Sequence, residues 1–402
     1  AQFERVILNG VAGQKVGFPR IKSGQMVCTA AKAANAGLPR ALGDAAAALG
    51  TAPKKAIGRQ DMLACSKPRT GKESRWTPEN DPERFIRLYA YCIDDVKAER
   101  GIDHVLPELS PDEQKVWELD QRINDVGVAV DLEAIANIQA LVVERKAELA
   151  AICIKQTGFK PTQTAQIAAW IRANGYAKLA NLQADTVNRA QTDPNCPKSI
   201  RELLAVYSAY AMKAVSKYDA ILRAVCADGR IRGMFLYYGA KTGRWASLIV
   251  QLQNLFRPKI KDCDAAIEAC ALRDLDWIKF LYPGMEPIVV FASCIRGVLV
   301  SAPGHDLISL DYAGIESRFT AWLFNEGWKL LAFEKFDRGE GPDSYKLAAA
   351  RSFQIHIDDI DEFLRQIGKV LELAFGFEGG VGACVTAAAA YGIDLKALAD
   401  AV

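Results

Sequence analysis

Several groups of side chains in this sequence have the types and spacing to do chemistry on phosphates. Asp311 closes the apolar run Leu307-Ile308-Ser309-Leu310, which reads as a buried strand. A carboxylate at a strand end is held rigidly yet faces a cleft, where a divalent cation for phosphoryl transfer would sit; the other reading is an N-cap for the helix that follows. Arg365, Lys369, Leu373 and Phe377 recur every four residues and share one broad helical face. Two cations followed by two apolar groups suit a nucleoside triphosphate, with charge on the phosphates and apolar surface for the base. An amphipathic helix with snorkelling cations would read the same. Between Gly229 and Lys261 lie Arg230, Arg232, Lys241, Arg244, Arg257, Lys259 and Lys261, with no Asp or Glu and with Phe235, Tyr237, Tyr238, Trp245 and Phe256 interleaved. Such a segment is a nucleic-acid surface or a solvated basic hairpin. Tyr91 and Asp95 are one helical turn apart. A carboxylate there can hold a metal ion while the phenol orients an attacking water, a weak pattern by itself.

Composition sets the frame for these groups. A chain of 402 residues has room for two to four domains. With 50% hydrophobic and 24% charged residues and a mean hydropathy of +0.00, it is neither disordered nor fibrous. The formal net charge of +2 says nothing about partners, so the basic segment is a local feature. The longest apolar runs, such as Pro287 to Ser293, fall far short of the ~18 residues a membrane span needs. Ten cysteines that never form C-x-x-C read as reduced thiols of a cytoplasmic protein, and three histidines argue against a His-based zinc enzyme. The start carries no signal-peptide pattern, and Ala1 is not an initiator methionine.

The elements that must position the reactive groups are mostly helical. Helices are expected over Ala30–Ala36, Arg40–Leu49, Arg84–Arg100, Asp112–Val126, Asp131 to about Cys153, Thr162–Ala173 and Ser199–Cys226. From Asp228 to Asp311 short strand-like runs with turn glycines replace them. Beyond Asp311 the chain is helical again, opening with an amphipathic helix that has Ile315, Phe319, Trp322 and Leu323 on one face. No internal repeat is present.

Several of these motifs, in order, resemble family A DNA polymerases of the bacterial DNA polymerase I-like, phage type. Thr242-Gly243-Arg244-Trp245, then Gln251-Leu252-Gln253-Asn254-Leu255 and Arg257-Pro258, resemble that family's primer-template contact region, with Phe256 where the family commonly has proline. The resemblance implies that Thr242, Arg244, Gln253, Asn254 and Arg257 touch DNA near the primer terminus. The string LDYAGIESR resembles the motif D-Y-S-x-I-E-x-R, with Ala313 in place of the serine. It implies Asp311 and the Tyr312 carbonyl as metal ligands, and Glu316 as the group that excludes a ribose 2′-OH. RQIGKVLELAFGFEGGVGA resembles the fingers helix. It implies Arg365 and Lys369 on the triphosphate, and Leu373 and Phe377 against the nucleotide, Phe377 standing where a tyrosine is usual. Gly379, Gly380 and Gly382 then offer a hinge.

Towards the N-terminus, Arg87-Leu88-Tyr89-Ala90-Tyr91-Cys92 and Ala1-Gln2-Phe3-Glu4-Arg5 resemble parts of the proofreading 3′–5′ exonuclease joined to these polymerases. This implies Glu4 and Asp95 as metal ligands and Tyr91 as the water-orienting group. Asp120, Asn124, Gly127 and Asp131 in LDQRINDVGVAVD resemble the junction into the thumb, with Val126 where an arginine is common.

The implied fold is a multidomain, helix-rich α/β chain. It comprises the C-terminal part of an RNase H-like exonuclease domain (1–110), a junction and helical thumb (111–227), the first part of a palm (228–330) and partial fingers (331–402), lacking the end of the palm. The implied function is template-directed addition of deoxynucleotides to a primer 3′ end. It would use two Mg²⁺ per polymerase site, with Mn²⁺ able to substitute, in viral DNA replication within a bacterial or phage-infected cytoplasm. Primer-template DNA and dNTPs are the partners, no membrane is involved, and protein partners are not indicated. The family's His-Asp-Glu turn does not follow the fingers motif, and His305-Asp306 precedes LDYAGIESR; the exonuclease D-x-E is likewise not found. The expectation is an internal fragment, close to inactive alone, of an active gene product. The rivals are a DNA-gripping polymerase relic and an exonuclease whose polymerase half is scaffold.

Overall fold

The helix Leu132–Thr157 organises the larger part of the molecule. It starts where Asp131 accepts the Ala134 backbone N–H at 2.9 Å and ends at Gly158, whose φ of 78° suits a residue without Cβ. Ile135, Ile138, Leu141, Val142 and Leu149 form its buried stripe. Each such side chain contributes ~1.5–3 kcal/mol on burial, so packing rather than propensity holds this element. Against it lie the helices Lys198–Ala211, Cys263–Cys270 and Pro287–Ser293. The computed structural model describes residues 2–51, 58–69, 74–376, 379–390 and 393, which fall into two compact units, Ala1–Leu307 and Ile308–Val402.

In the larger unit the expected helices appear with shifted ends: Thr29–Asn35, Leu42–Leu49, Pro82–Val105, Pro111–Val126 and Thr164–Ala173. Ala184–Thr192 is an additional one. The single helix expected over Ser199–Cys226 is instead two, Lys198–Ala211 and Ser216–Ala224, the first ending at Met212, whose ψ of 110° leaves the helical region. The break turns Val215, Tyr218 and Ile221 into the main core, where the Tyr218 hydroxyl donates to the Phe291 carbonyl at 2.7 Å. The region from Asp228 to Asp311 is less strand-like than its apolar runs predict. Cys263–Cys270, Leu275–Leu281 and Pro287–Ser293 are helices because Asp262, Asp274 and Glu286 cap them and Pro287 fits a first helical position.

What remains of sheet is small. Val128–Val130 lies between Arg230–Ile231 and Leu299–Val300, antiparallel to both, with Val128 opposite Ile231 and Ala129 opposite Val300. Phe235–Leu236 pairs with Ala246–Ser247 as a separate hairpin. All ten cysteines are free thiols. Among the described residues no helix is long and apolar enough to cross a membrane.

The smaller unit contains helices Ile315–Leu323, Gly327–Asp337, Ser344–Phe353, Glu362–Phe375 and Val381–Ala390. Ile367, Val370, Ala388 and Ile393 make its core, with Phe353, Leu364 and Leu371 packed around them. Two expectations are corrected here and at the preceding link. Leu307-Ile308-Ser309-Leu310 is not a buried strand: Ile308 is 82% and Leu310 90% exposed. A strand needs backbone partners, and among the described residues none pairs with 307–311. The helix Ile315–Leu323 forms as expected, but Phe319, Trp322 and Leu323 are exposed and Ala321 is its buried residue.

The Tyr218 hydroxyl has a direct consequence for stability. Tyr218→Phe keeps the ring and removes one of the donors to the buried Phe291 carbonyl, which the Cys294 N–H also meets, so chemical denaturation of the chain should show a loss of about 0.5–1.5 kcal/mol.

Candidate functional site

Helix Pro111–Val126 anchors an open surface of the larger unit. Asp120 is 2% exposed and accepts the Trp245 indole N–H at 2.7 Å and the Gln121 amide at 3.0 Å. Burial pushes the Asp120 carboxyl up from the ordinary carboxylate range, against the pull of these donors. One turn on, Asn124 accepts the Phe235 N–H at 2.9 Å and donates to the Phe235 carbonyl at 3.0 Å. The Arg40 guanidinium donates to the Tyr237 carbonyl at 2.8 Å, and the Tyr237 hydroxyl donates to Glu113 at 2.5 Å. Burial, then Glu113, pushes that phenol well above its usual range.

The segment held in this way bounds an open cavity of about 990 Å³ lined by Thr242, Arg244, Gln253 and Asn254, with Tyr237, Tyr238 and Trp245 as aromatic walls. The structure thus brings together four of the five residues expected to meet DNA; Arg257 is exposed outside the lining. Gln253 is tied down by its side-chain N–H to the Trp245 carbonyl at 3.2 Å and by a bond with the Ser247 hydroxyl. Arg296, which sequence reasoning missed, donates to the carbonyls of Phe256 and Leu255 at 3.1 and 2.9 Å and sets the loop that Phe256 enters. Of the basic segment, Arg230 and Arg232 are engaged by the backbone of Asp125, Val126 and Gly127. Lys241, Arg244, Arg257, Lys259 and Lys261 are exposed.

In the smaller unit, Asp361 caps Glu362–Phe375 by accepting the Leu364 N–H at 2.8 Å, and the helix presents Arg365 and Lys369 together. Both cations stand over the Tyr345 ring, with the Arg365 guanidinium 5.6 Å and the Lys369 Nζ 5.8 Å from its centroid. Arg365 Nε donates to Asp343 at 2.8 Å, which raises the guanidinium pKa further. Leu373 is half-buried on the same helix; Phe377 lies outside the described residues. Gly382 falls inside the helix Val381–Ala390, and the Gly379 N–H donates to the Ala374 carbonyl at 3.0 Å. Asp343 and Tyr345 were missed from sequence, although Gly341-Pro342-Asp343 ahead of an apolar helix is an N-terminus signal. Asp311 and Tyr312 are exposed, and Glu316 is half-buried in the first turn of Ile315–Leu323. Gly314, not Asp311, occupies that helix's N-cap.

Near the N-terminus, Glu4 and Asp95 line one cavity of about 270 Å³, with Glu99 and Arg40. Tyr91 is not in that lining; it is buried where Gly58, at φ 98°, leaves room for its ring. Among the described residues no group of three or more His, Cys, Asp or Glu could hold a metal ion, so neither Asp311 nor the Glu4–Asp95 pair makes a complete cation cage within them.

The larger unit therefore offers an aromatic and cationic cavity and the smaller a paired-cation helix, a combination suited to a polynucleotide and a nucleotide. No protein-family model matches the chain. It is 34% identical over 373 residues to the DNA polymerase of Bacillus phage SP02, covering 90% of this chain and 56% of that protein. It is 29% identical over 167 residues to DNA polymerase I of Mycobacterium tuberculosis strain H37Rv, covering 41% of this chain and 14% of that one. Its fold is that of the POL domain of Pol1 from M. smegmatis, solved in complex with DNA primer-template and dNTP. The TM-score is 0.54 at 18% identity, over 96% of this chain and 61% of that chain. The resemblance to family A DNA polymerases is borne out: the chain is similar to a phage DNA polymerase along most of its length and to DNA polymerase I over 41% of it. It spans about half the length of the phage relative.

Two close fits make the site geometry testable. A Cβ on Gly368 would lie 2.0 Å from the Tyr345 carbonyl, so Gly368→Ala should separate helices Ser344–Phe353 and Glu362–Phe375 and lower stability by about 1–3 kcal/mol in a denaturant melt. Trp245→Phe removes one of the donors to buried Asp120, leaving Gln121, and should cost a similar ~1–3 kcal/mol.

Proposed function

We propose that this chain carries the primer-template grip and the nucleotide-binding helix of a DNA-directed DNA polymerase of family A. The observation that carries this reading is the cavity in which Thr242, Arg244, Gln253 and Asn254 converge beneath Tyr237, Tyr238 and Trp245. An exposed guanidinium suits phosphate oxygens, amide side chains suit the acceptors of the minor groove, and aromatic walls suit sugars and bases. The reaction is attack of a primer 3′-oxygen on the α-phosphorus of a deoxynucleoside triphosphate, with pyrophosphate leaving. Arg365 and Lys369 bind the triphosphate charge, Leu373 and Phe377 face the nucleoside, and Glu316 excludes a 2′-hydroxyl. Two Mg²⁺ would take Asp311 and the Tyr312 carbonyl as ligands, and need a further carboxylate that the described residues do not bring beside Asp311. The shared lining of Glu4 and Asp95 favours an associated 3′–5′ exonuclease, with Tyr91 as its water-orienting group on the strength of the sequence motif alone, since its buried ring lies outside that lining. The setting is viral DNA replication in a bacterial cytoplasm. The domain limits are those read from the sequence: exonuclease-like to 110, thumb to 227, palm to 330, and fingers beyond.

Two measurements test this assignment. Arg244→Ala should weaken primer-template binding by about tenfold at low salt and reduce the slope of log K against log salt by about 1; an unchanged slope and affinity would remove Arg244 from the interface. In the full-length gene product, Lys369→Ala should lower kcat/KM by at least about 100-fold, equivalent to ~3 kcal/mol of lost electrostatic clamping. An unchanged kcat/KM would sink the triphosphate role.

A further inference from the structure

The Arg365 guanidinium does not hang from its helix by its own rotamer alone. Its Nε donates to Asp343 Oδ2 at 2.8 Å, and its Nη1 reaches Glu362 at 3.3 Å. The other Asp343 oxygen, Oδ1, accepts the backbone N–H groups of Tyr345 and Lys346 at 2.9 and 3.0 Å, capping Ser344–Phe353. One carboxylate thus divides its two oxygens between a helix terminus and a cation on the neighbouring helix. The distance between them is kept by Gly368, which lets Glu362–Phe375 press against the Tyr345 carbonyl. A guanidinium held by Asp343 at Nε and by Glu362 through one N–H of Nη1 still turns Nη2 and the second N–H of Nη1 outward, the pair that a bidentate contact with phosphate oxygens uses.

Taking Arg365 and Lys369 as the triphosphate cations, as proposed above, we propose that Asp343 is a positioning residue that presents the Arg365 fork to the phosphates. Held in this way, Arg365 loses little freedom when nucleotide binds; released, it must be ordered at the moment of binding. Asp343 itself makes no contact with nucleotide.

The test is binding of Mg²⁺-complexed dATP to the 402-residue chain by calorimetry, with dAMP as control. Asp343→Ser retains a good helix cap but is too short to reach Arg365, and it should raise the dATP Kd about fivefold while leaving dAMP affinity and the thermal midpoint in place. Asp343→Asn, which keeps both the cap and an acceptor for Nε, should restore the Kd to within twofold. In an Arg365→Ala background, Asp343→Ser should add nothing, because the two act as one unit. An unchanged or tighter dATP Kd for Asp343→Ser, or additive losses in the double variant, would overturn the positioning role. If Arg365→Ala leaves dATP binding unaltered, or the unsubstituted chain binds none, the triphosphate reading falls and this role with it. If Arg365→Ala weakens binding and Asp343→Ser does not, only the positioning role falls. Should Asp343→Ser unfold, Arg365→Lys, which keeps the charge without the fork, must still lose affinity; no loss overturns the inference.

Discussion

Two buried polar side chains on one helix, Asp120 and Asn124, hold the segment that carries the candidate DNA contacts. A carboxylate at 2% exposure is costly unless donors meet it, and Trp245 and Gln121 supply them. Asn124 does what a neighbouring strand would do: its amide brackets the N–H and C=O of Phe235. The same helix ends at Gly127, at φ 68°, where a Cβ would meet the Ile231 carbonyl at 2.3 Å; Arg230 satisfies the Val126 and Gly127 carbonyls there. Remove these polar anchors and the tyrosines, Trp245 and the loop of Gln253 lose their common frame.

The smaller unit is organised by ions rather than by buried amides. Arg318 meets both oxygens of Asp337 at 2.6 and 2.7 Å and lies over Phe333. Glu372 takes Lys329 and the Ser317 hydroxyl, tying helices Ile315–Leu323 and Gly327–Asp337 to Glu362–Phe375. Burial pulls the Asp343 carboxyl up, yet Arg365 and the capped N–H groups outweigh it and hold it below its usual range. Positive charge here is therefore surrounded by acidic partners. Likewise, in the larger unit, counting cations between Gly229 and Lys261 overstates what is open to a ligand, since Arg230 and Arg232 serve the junction.

Much of this was legible in the sequence where chemistry is local. The helix following Asp131, the cation pair Arg365 and Lys369, and the cluster from Thr242 to Asn254 follow from caps, periodicity and motif order. Reading failed where the decision is made elsewhere in the fold. Pro287–Ser293, rich in β-branched residues, looks like a strand but is a capped and buried helix. The break at Met212 serves Tyr218 and Phe291, 73 positions apart in the chain, which no local pattern announces. Leu307 to Leu310 has strand propensity without a strand's partners. Arg296 carries no motif and Asp343 only a helix-start signal; the carbonyls that Arg296 reaches and the guanidinium that Asp343 holds are set by the fold.

The glycine at 368 also has a mechanical meaning. With no room even for a methyl group between Glu362–Phe375 and the Tyr345 carbonyl, the two helices mesh like gear and pinion. The cation-bearing helix cannot roll about its own axis without dragging Ser344–Phe353 with it. Any swing of Arg365 and Lys369 is therefore the travel of a two-helix lever, heavier and stiffer than a single helix and insensitive to the tug of one side chain.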